Sequence, residues 1–310
     1  RQDGDNWVLF NNYDGNKIRF SLNDDVVPYT KSSVPELLDL KVTDSCPYKC
    51  AFCYQGSLPE GKEARWEDVE RIVRALGGMG VFEIAIGGGE PTHWPHLAKL
   101  IELCREVDIV PNFTTFGVDW LKNEELVEAV QEGVGAIGVS VQRAKDLNKA
   151  IKIREAVSRH HQSNQPRIMA QHVVGSVDIS ETAELLEESW TQGVPMLLLG
   201  FKTTGFGATY KPHDMTGIAE LLRLRMNSQP HWGAKFHTLG VDTSFVEQFG
   251  DVLKDLDIPQ VLVTNEEGKF SMYIDGVTCT QGPSSYMPDS MEALDIKNTE
   301  ESILTAFKSY

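Results

Sequence analysis

From residue 37 onward the chain alternates short apolar runs with amphipathic stretches of helical period, and few architectures accommodate such a series. "LLDLKV" (37–42) alternates apolar and polar residues as a strand does. "RWEDVERIVRAL" then sets Trp66, Val69, Ile72, Val73 and Leu76 on one helical face, with Gly77 and Gly78 as the expected stop. "VFEIAI" (81–86) is the next strand, and "WPHLAKLIELCREV" a helix with Leu97, Leu100, Ile101 and Cys104 on its buried stripe. The pattern continues through the strand "IVPNFTTF", the helix "LVEAVQEG", the strand "AIGVSV" (136–141) and a helix from Asp146 to His160. The strand "RIMAQHVVG" precedes the helix "DISETAELLEESW", which a capping box from Asp178 to Glu181 should open. "VPMLLLGF" (194–201) and a helix from Asp214 to Met226 complete six strand–helix units.

Such units with apolar strands call for a parallel sheet covered by helices. The residues with chemical potential fall just after strand ends: Cys46 to Cys53, Gly87 to Glu90, Thr115 to Gly117, Ser140 to Gln142, His172, and Lys202 to Gly207. That distribution suits the C-terminal rim of a barrel, whereas an open doubly wound sheet would gather them at one switch point. The expected fold is α/β, a partial (β/α)6 TIM-like barrel over residues 34–230. Before it, "NWVLFNNYDGNKIRFSLN" reads as a hairpin about Asp14 and Gly15, within an N-terminal extension of residues 1–33. After residue 230 the rhythm gives way to "AKFHTLGVDTSF" and a hairpin-like "KFSMYIDGVTCTQG", a C-terminal extension (231–310) expected to cover the barrel.

Charge narrows the range of partners. The 29 Lys and Arg against 45 Asp and Glu leave a formal net charge of −16, which argues against non-specific nucleic-acid binding but leaves a nucleotide ligand open. No run approaches the roughly 18 apolar residues of a membrane span. The polar start "RQDGDNW" has no signal-peptide core, so no membrane association and a cytoplasmic location are expected.

Three of the five cysteines lie within eight positions, in "VTDSCPYKCAFCYQGS". An odd, clustered set is not a disulfide framework. A structural zinc site would need a fourth ligand from far away, since no histidine lies between Lys17 and His93. Three thiolates in one tight loop suit an iron–sulfur cluster, and three ligands leave one iron open for chemistry.

"CPYKCAFCY" resembles the cluster-binding loop of the radical S-adenosylmethionine (radical SAM) superfamily, whose pattern is C-x3-C-x-aromatic-C. Cys46, Cys50 and Cys53 match the three ligands and Phe52 the aromatic, directly after the first barrel strand. The resemblance implies a [4Fe–4S] cluster whose open iron binds the amino and carboxylate groups of S-adenosylmethionine, with Phe52 at the cofactor site. In "IAIGGGEPTHWP", Gly88, Gly89, Glu90 and Pro91 look like the family's GGEP motif. By resemblance Gly88, Gly89 and Glu90 hold the methionine amino group; glycines let backbone approach closely, and a carboxylate suits an ammonium. "GVSVQ" resembles a fourth-strand position at which Ser140 would contact the ribose. "LLLGFKTTGFG" resembles a sixth-strand segment whose backbone, at Gly200, would lie against the adenine, with Lys202 placed to reach a carboxylate or phosphate. The chain departs from the family at "FTTFGVD", where Phe116 stands in place of a polar residue.

The resemblance implies reductive cleavage of S-adenosylmethionine to a 5′-deoxyadenosyl radical that takes a hydrogen from the substrate, with an electron donor such as flavodoxin or ferredoxin. The loaded site would be oxygen-sensitive. Cys104, on a helix's apolar stripe, reads as core, and Cys279 is a candidate hydrogen donor as well as a candidate structural thiol. Those two cannot furnish the ligands of an auxiliary cluster. His172 and His237 read as structural. With no recognisable peptide-binding domain before the barrel, a small-molecule or nucleotide substrate is expected, and peptide modification is the alternative. A non-enzymatic iron–sulfur electron carrier and a zinc-stabilised binding protein are the readings outside this class.

Overall fold

The computed structural model describes residues 1–12, 15–22, 30–158, 165–227, 239–259, 263 and 266–310. The N-terminal strands β1 (Gln2–Asp3), β2 (Asn6–Phe10) and β3 (Lys17–Ser21) pair antiparallel as a small sheet of their own. Asp14 of the expected turn lies outside the described residues.

The main sheet is laid down in chain order. Its strands are β4 (Leu37–Thr43), β5 (Glu83–Gly88), β6 (Val110–Thr115), β7 (Ala136–Ser140), β8 (Arg167–Val173) and β9 (Met196–Leu199). The helices that follow them are α1 (Trp66–Met79), α2 (Leu97–Glu106), α3 (Glu124–Gly133), α4 (Leu147–Val157), α5 (Ile179–Gln192) and α6 (Ile218–Asn227). Each strand pairs in parallel with the next, with no reversal of order, as barrel winding requires.

The C-terminal segment enters this sheet instead of only lying over it. Strand β10 (Leu239–Val241) extends the β9 edge in parallel and leads into α7 (Thr243–Asp255). Strand β11 (Ser271–Asp275) pairs in parallel with β4 on the opposite edge, followed antiparallel by β12 (Thr280–Gly282) and β13 (Glu292–Ala293). Helix α8 (Thr299–Ser309) packs on α1 and β12. The partial barrel is thus flanked on both sides by strands from beyond residue 230. Residues 234–238, with His237, lie outside the described residues.

Alternation along the strands sorts the interior. On β4, Leu38, Leu40 and Val42 are buried against the helix layer, while Asp39 and Lys41 line a cavity at the barrel's centre. On β8, Ile168, Ala170 and His172 are buried and Gln171 and Val173 face the cavity.

Some helix ends differ from expectation. Helix α1 runs through Gly77 and Gly78 and stops at Gly80, whose φ of +72° supplies the left-handed C-cap. Gly77 sits where a Cβ would overlap Val107, so it permits close packing and does not end the helix. Helix α4 ends at Val157, and His160 lies outside the described residues. Helix α6 starts at Ile218, because Asp214 accepts from the Thr216 amide and hydroxyl in a turn. At α5 the Asp178 carboxylate accepts from the Glu181 amide, but the Glu181 carboxylate takes Arg143 Nε (2.6 Å) and is drawn away from the box.

The N-terminal sheet closes the end of the barrel opposite the strand C-termini. Glu36, just before β4 and fully buried, accepts from Arg19 Nε and Nη2 (3.1 and 2.6 Å) and pairs with Lys17 (3.0 Å). Lys17 also reaches Glu83 at the start of β5 (3.7 Å), and Phe10 stacks on Phe82.

Candidate active site

Two loops at the C-terminal ends of β4 and β5 are bonded directly to one another. The cysteine loop leaves β4 at Thr43, and the glycine turn leaves β5 at Gly88. The Gly89 amide donates to the Thr43 carbonyl (2.6 Å) and the Glu90 amide to the Ser45 carbonyl (2.9 Å). A Cβ at Gly89 would overlap the Ser45 carbonyl, and one at Gly88, whose φ is +125°, would overlap that of Thr43. The close approach that these glycines allow is to the base of the cysteine loop.

The loop is also held from its far side. The Cys46 amide donates to Leu58 O (3.0 Å) and the Ser45 hydroxyl to Pro59 O (2.9 Å). Beyond β9, the Phe206 amide donates to the Cys53 carbonyl (2.9 Å) and the Thr204 hydroxyl to the Tyr54 carbonyl (3.0 Å). Gly205, at φ +54°, packs so closely on Tyr54 O that no side chain fits.

Glu90 is 1% exposed, and its carboxylate is already anchored. Oε1 accepts from the Thr92 amide and hydroxyl (3.3 and 2.7 Å) and from the Thr115 hydroxyl (2.7 Å), and Oε2 accepts from the Phe116 amide (2.9 Å). The departure at "FTTFGVD" therefore leaves a backbone donor on Glu90, while the Phe116 ring packs on Tyr48.

These elements open on one cavity of about 340 Å³. Cys46, Cys50, Cys53, Phe52, Gly88, Gly89, Glu90, Ser140, Gly200 and Lys202 all line it. Gln142 extends its amide toward the Cys50 sulfur (3.8 Å). Cys279 does not line this cavity. It sits at φ +52° in the turn between β11 and β12, with Asp68 and Arg65 of the α1 entry as electrostatic neighbours, away from the position expected of a hydrogen donor. His172 points into the helix layer between Val141 O and the Thr182 hydroxyl (3.2 Å each), and burial pulls its pKa down to about 4, so it is neutral and structural. Cys104 is fully buried and its thiol is pushed up to about 12 by that burial.

The donor set fits an iron–sulfur group. The three loop thiols are half-buried and feel one another: burial raises Cys46 and Cys50, and the neighbouring thiols push Cys50 further, to about 11. Bound metal cations relieve that cost, because ligation favours thiolate. Among the described residues no group of three or more His, Cys, Asp or Glu side chains is arranged round a single metal ion.

Several cavity residues are not evident from sequence motifs. Asp39 and Lys41 belong to an ordinary-looking strand, and Tyr273 comes from the C-terminal β11. Lys41 pairs with Asp44, at the root of the cysteine loop, and with Asp275 of β11 (3.0 Å). The available signal was parity: charged residues at inward positions of a barrel strand.

A parallel strand–helix barrel with a three-cysteine loop bonded to a glycine–glutamate turn is the pattern of the radical SAM class, and the barrel segment of this chain is similar to that superfamily. The family model described as Radical SAM superfamily matches residues 40–170. The chain is 28% identical over 118 residues to PqqA peptide cyclase of Bradyrhizobium diazoefficiens, a match covering 36% of this chain and 30% of that protein. It is 39% identical over 72 residues to GTP 3′,8-cyclase of Hydrogenovibrio crunogenus, covering 22% of each. The chain thus spans about three tenths or less of the length of these curated relatives. Among solved structures, Streptococcus suis SuiB bound to S-adenosylmethionine superposes with a TM-score of 0.64 at 16% identity, covering 89% of this chain and 64% of that one. AnSMEcpe with bound AdoMet gives 0.58 at 13%, covering 86% and 80%. These two likenesses are of fold. The radical SAM match over residues 40–170 implies S-adenosylmethionine and an iron–sulfur cluster. Among the described residues no helix is long and apolar enough to cross a membrane.

Proposed function

We propose that this chain is an enzyme that cleaves S-adenosylmethionine reductively at a [4Fe–4S] cluster held by Cys46, Cys50 and Cys53. The carrying observation is that the cysteine loop and the Gly88–Glu90 turn, matched separately in the sequence, are hydrogen-bonded to each other and open on one cavity. The cluster and S-adenosylmethionine, when bound, supply a 5′-deoxyadenosyl radical that takes a hydrogen atom from substrate.

The chain's own part is positional. Glu90, fixed by Thr92, Thr115 and Phe116, presents a preorganised acceptor for the methionine ammonium, and the Gly88–Gly89 backbone lines its approach. Ser140 and Gly200 line the same cavity and are assigned to the ribose and adenine. Tyr54 and Tyr273 narrow the chamber and limit water, which a carbon radical needs. An external one-electron donor such as flavodoxin or ferredoxin completes the system, in the cytoplasm.

The cluster and S-adenosylmethionine share this chamber, and the room they leave favours a small molecule or one residue-sized group. A nucleotide is the other small substrate considered. Peptide modification is supported by the likeness to PqqA peptide cyclase, and in that case one side chain enters the cavity.

Anaerobic reconstitution with iron and sulfide, reduction with dithionite and addition of S-adenosylmethionine should release 5′-deoxyadenosine. Cys50→Ala should lose both the cluster absorbance and the release. A protein that takes up stoichiometric zinc instead, or a cluster that cycles electrons without cleavage, would reject the reading.

A further inference from the structure

The cavity has a second polar wall that the cofactor residues do not use. Asp39 points inward from β4, part of its surface open to the chamber and the rest deep among protein atoms. Its carboxylate accepts no hydrogen bond among the described residues. Leaving a buried carboxylate without donors is costly, and sites that do so are enriched in ligand contacts. The neighbouring Lys41 does not relieve it, since its ammonium is held by Asp44 and Asp275.

Lys202, after β9, faces the same chamber. Its ammonium lies over the rings of Tyr54 and Tyr286, 4.8 Å from each centroid. The nearest carboxylate, Asp242, is 3.8 Å away, beyond hydrogen-bond length. Asp242 is itself engaged as the N-cap of α7, accepting from the amides of Gly200 and Phe245 (2.9 and 2.7 Å) and the Ser244 hydroxyl (2.9 Å). Lys202 therefore keeps its donors, and among the described residues it makes no hydrogen bond. Asp39 and Lys202 feel each other electrostatically but form no ion pair.

We propose that Asp39 and Lys202 are the two anchors of the substrate, and that the substrate bears an α-amino-acid group, its ammonium on Asp39 and its carboxylate on Lys202. A polyphosphate fits poorly: among the described residues Lys202 is the one lining cation not already matched by two carboxylates, while Asp39 and Glu90 add negative charge. The Lys202 cation between two tyrosine rings suits one compact carboxylate. Burial lifts the Asp39 carboxyl to about 6, with Lys202 opposing the rise and Glu267 adding to it, and an arriving ammonium offsets that cost.

The proposal rests on the chamber being the substrate site of the enzyme described above. The test uses the cluster-loaded wild-type chain, unreduced and saturated with S-adenosylmethionine, so that the cofactor's own amino-acid group is already bound. Free L-amino acids are titrated one by one by ligand-observed NMR, and each binder is compared with its N-acetyl and carboxamide derivatives. At least one free amino acid should bind, and each blocked derivative should bind roughly tenfold to a hundredfold more weakly. Asp39→Asn should erase the discrimination against the N-acetyl form, and Lys202→Met that against the amide.

Absence of binding by every free amino acid, equal binding of the blocked forms to wild type, or tighter binding of GTP would each overturn the proposal. The comparison of derivatives on wild type decides the matter even where a variant does not fold. The same wild-type preparation is then reduced. Release of 5′-deoxyadenosine without amino-acid binding sinks the anchor proposal alone, whereas no release sinks the functional reading.

Discussion

Glu90 and Asp39 are carboxylates in one cavity with opposite surroundings. Glu90 carries donors on both oxygens and is preorganised. Asp39 has none among the described residues, and burial moves it from the ordinary 3.8 to about 6. Because the folded chain holds this proton more tightly than the unfolded one, stability falls as pH rises through the window from about 4 to 6, then stays level. That rise in pKa corresponds to at most about 3 kcal/mol. Asp39→Asn, neutral throughout, should lack this loss, so its advantage over wild type in urea unfolding should be small at pH 4 and reach its full size by pH 7. A constant difference between the two across that range would contradict the assignment. His172 runs the other way. With its pKa lowered to about 4, its contribution is present above about 6.5 and is lost as pH falls toward 4.

At the level of elements, β4 does the most. One face supplies Leu38, Leu40 and Val42 to the core, and the other carries Asp39 and Lys41. Its C-terminal end becomes the cysteine loop, and its N-terminal end is gripped by the small N-terminal sheet through Glu36. That grip lies at the far end of the strands from the cavity, so its effect should be on stability alone. Glu36→Gln leaves Lys17 and Arg19 facing a neutral group. It should lower the unfolding free energy by about 2 kcal/mol, less than for a fully enclosed pair because Arg19 is partly exposed. Guanidinium denaturation measures the loss, and 5′-deoxyadenosine release should remain at the wild-type rate. A matching fall in that rate would mean that the base of the barrel communicates with its mouth.

For the whole molecule, the residues beyond 230 complete the sheet. Without β11 the β4 edge is left with unpaired backbone, and Lys41 loses Asp275. A chain ending at residue 270 is therefore expected to aggregate in size-exclusion chromatography, and a monomer that still releases 5′-deoxyadenosine would show the segment to be dispensable. The strand–helix series, the cysteine loop and the glycine turn were legible in the sequence, because each is a local pattern: hydrophobic period, cysteine spacing, glycines at a strand end. The placement of the last segment was not, because "SMYID" is equally good as a lid hairpin or an edge strand, and only its parallel pairing with β4 decides. The same holds for Glu181, whose capping role lost to an arginine distant in sequence, and for Cys279, whose turn carries it outside the chamber. Asp39 and Lys202 are the plainest case. Asp39 is unremarkable in its own stretch, Lys202 was marked there as a cation without a partner in view, and only closure of the barrel brings an unmatched carboxylate and a loosely paired ammonium to face one cavity. Local chemistry is written in short spacings, but which charges meet depends on how the sheet curves to bring distant strands together.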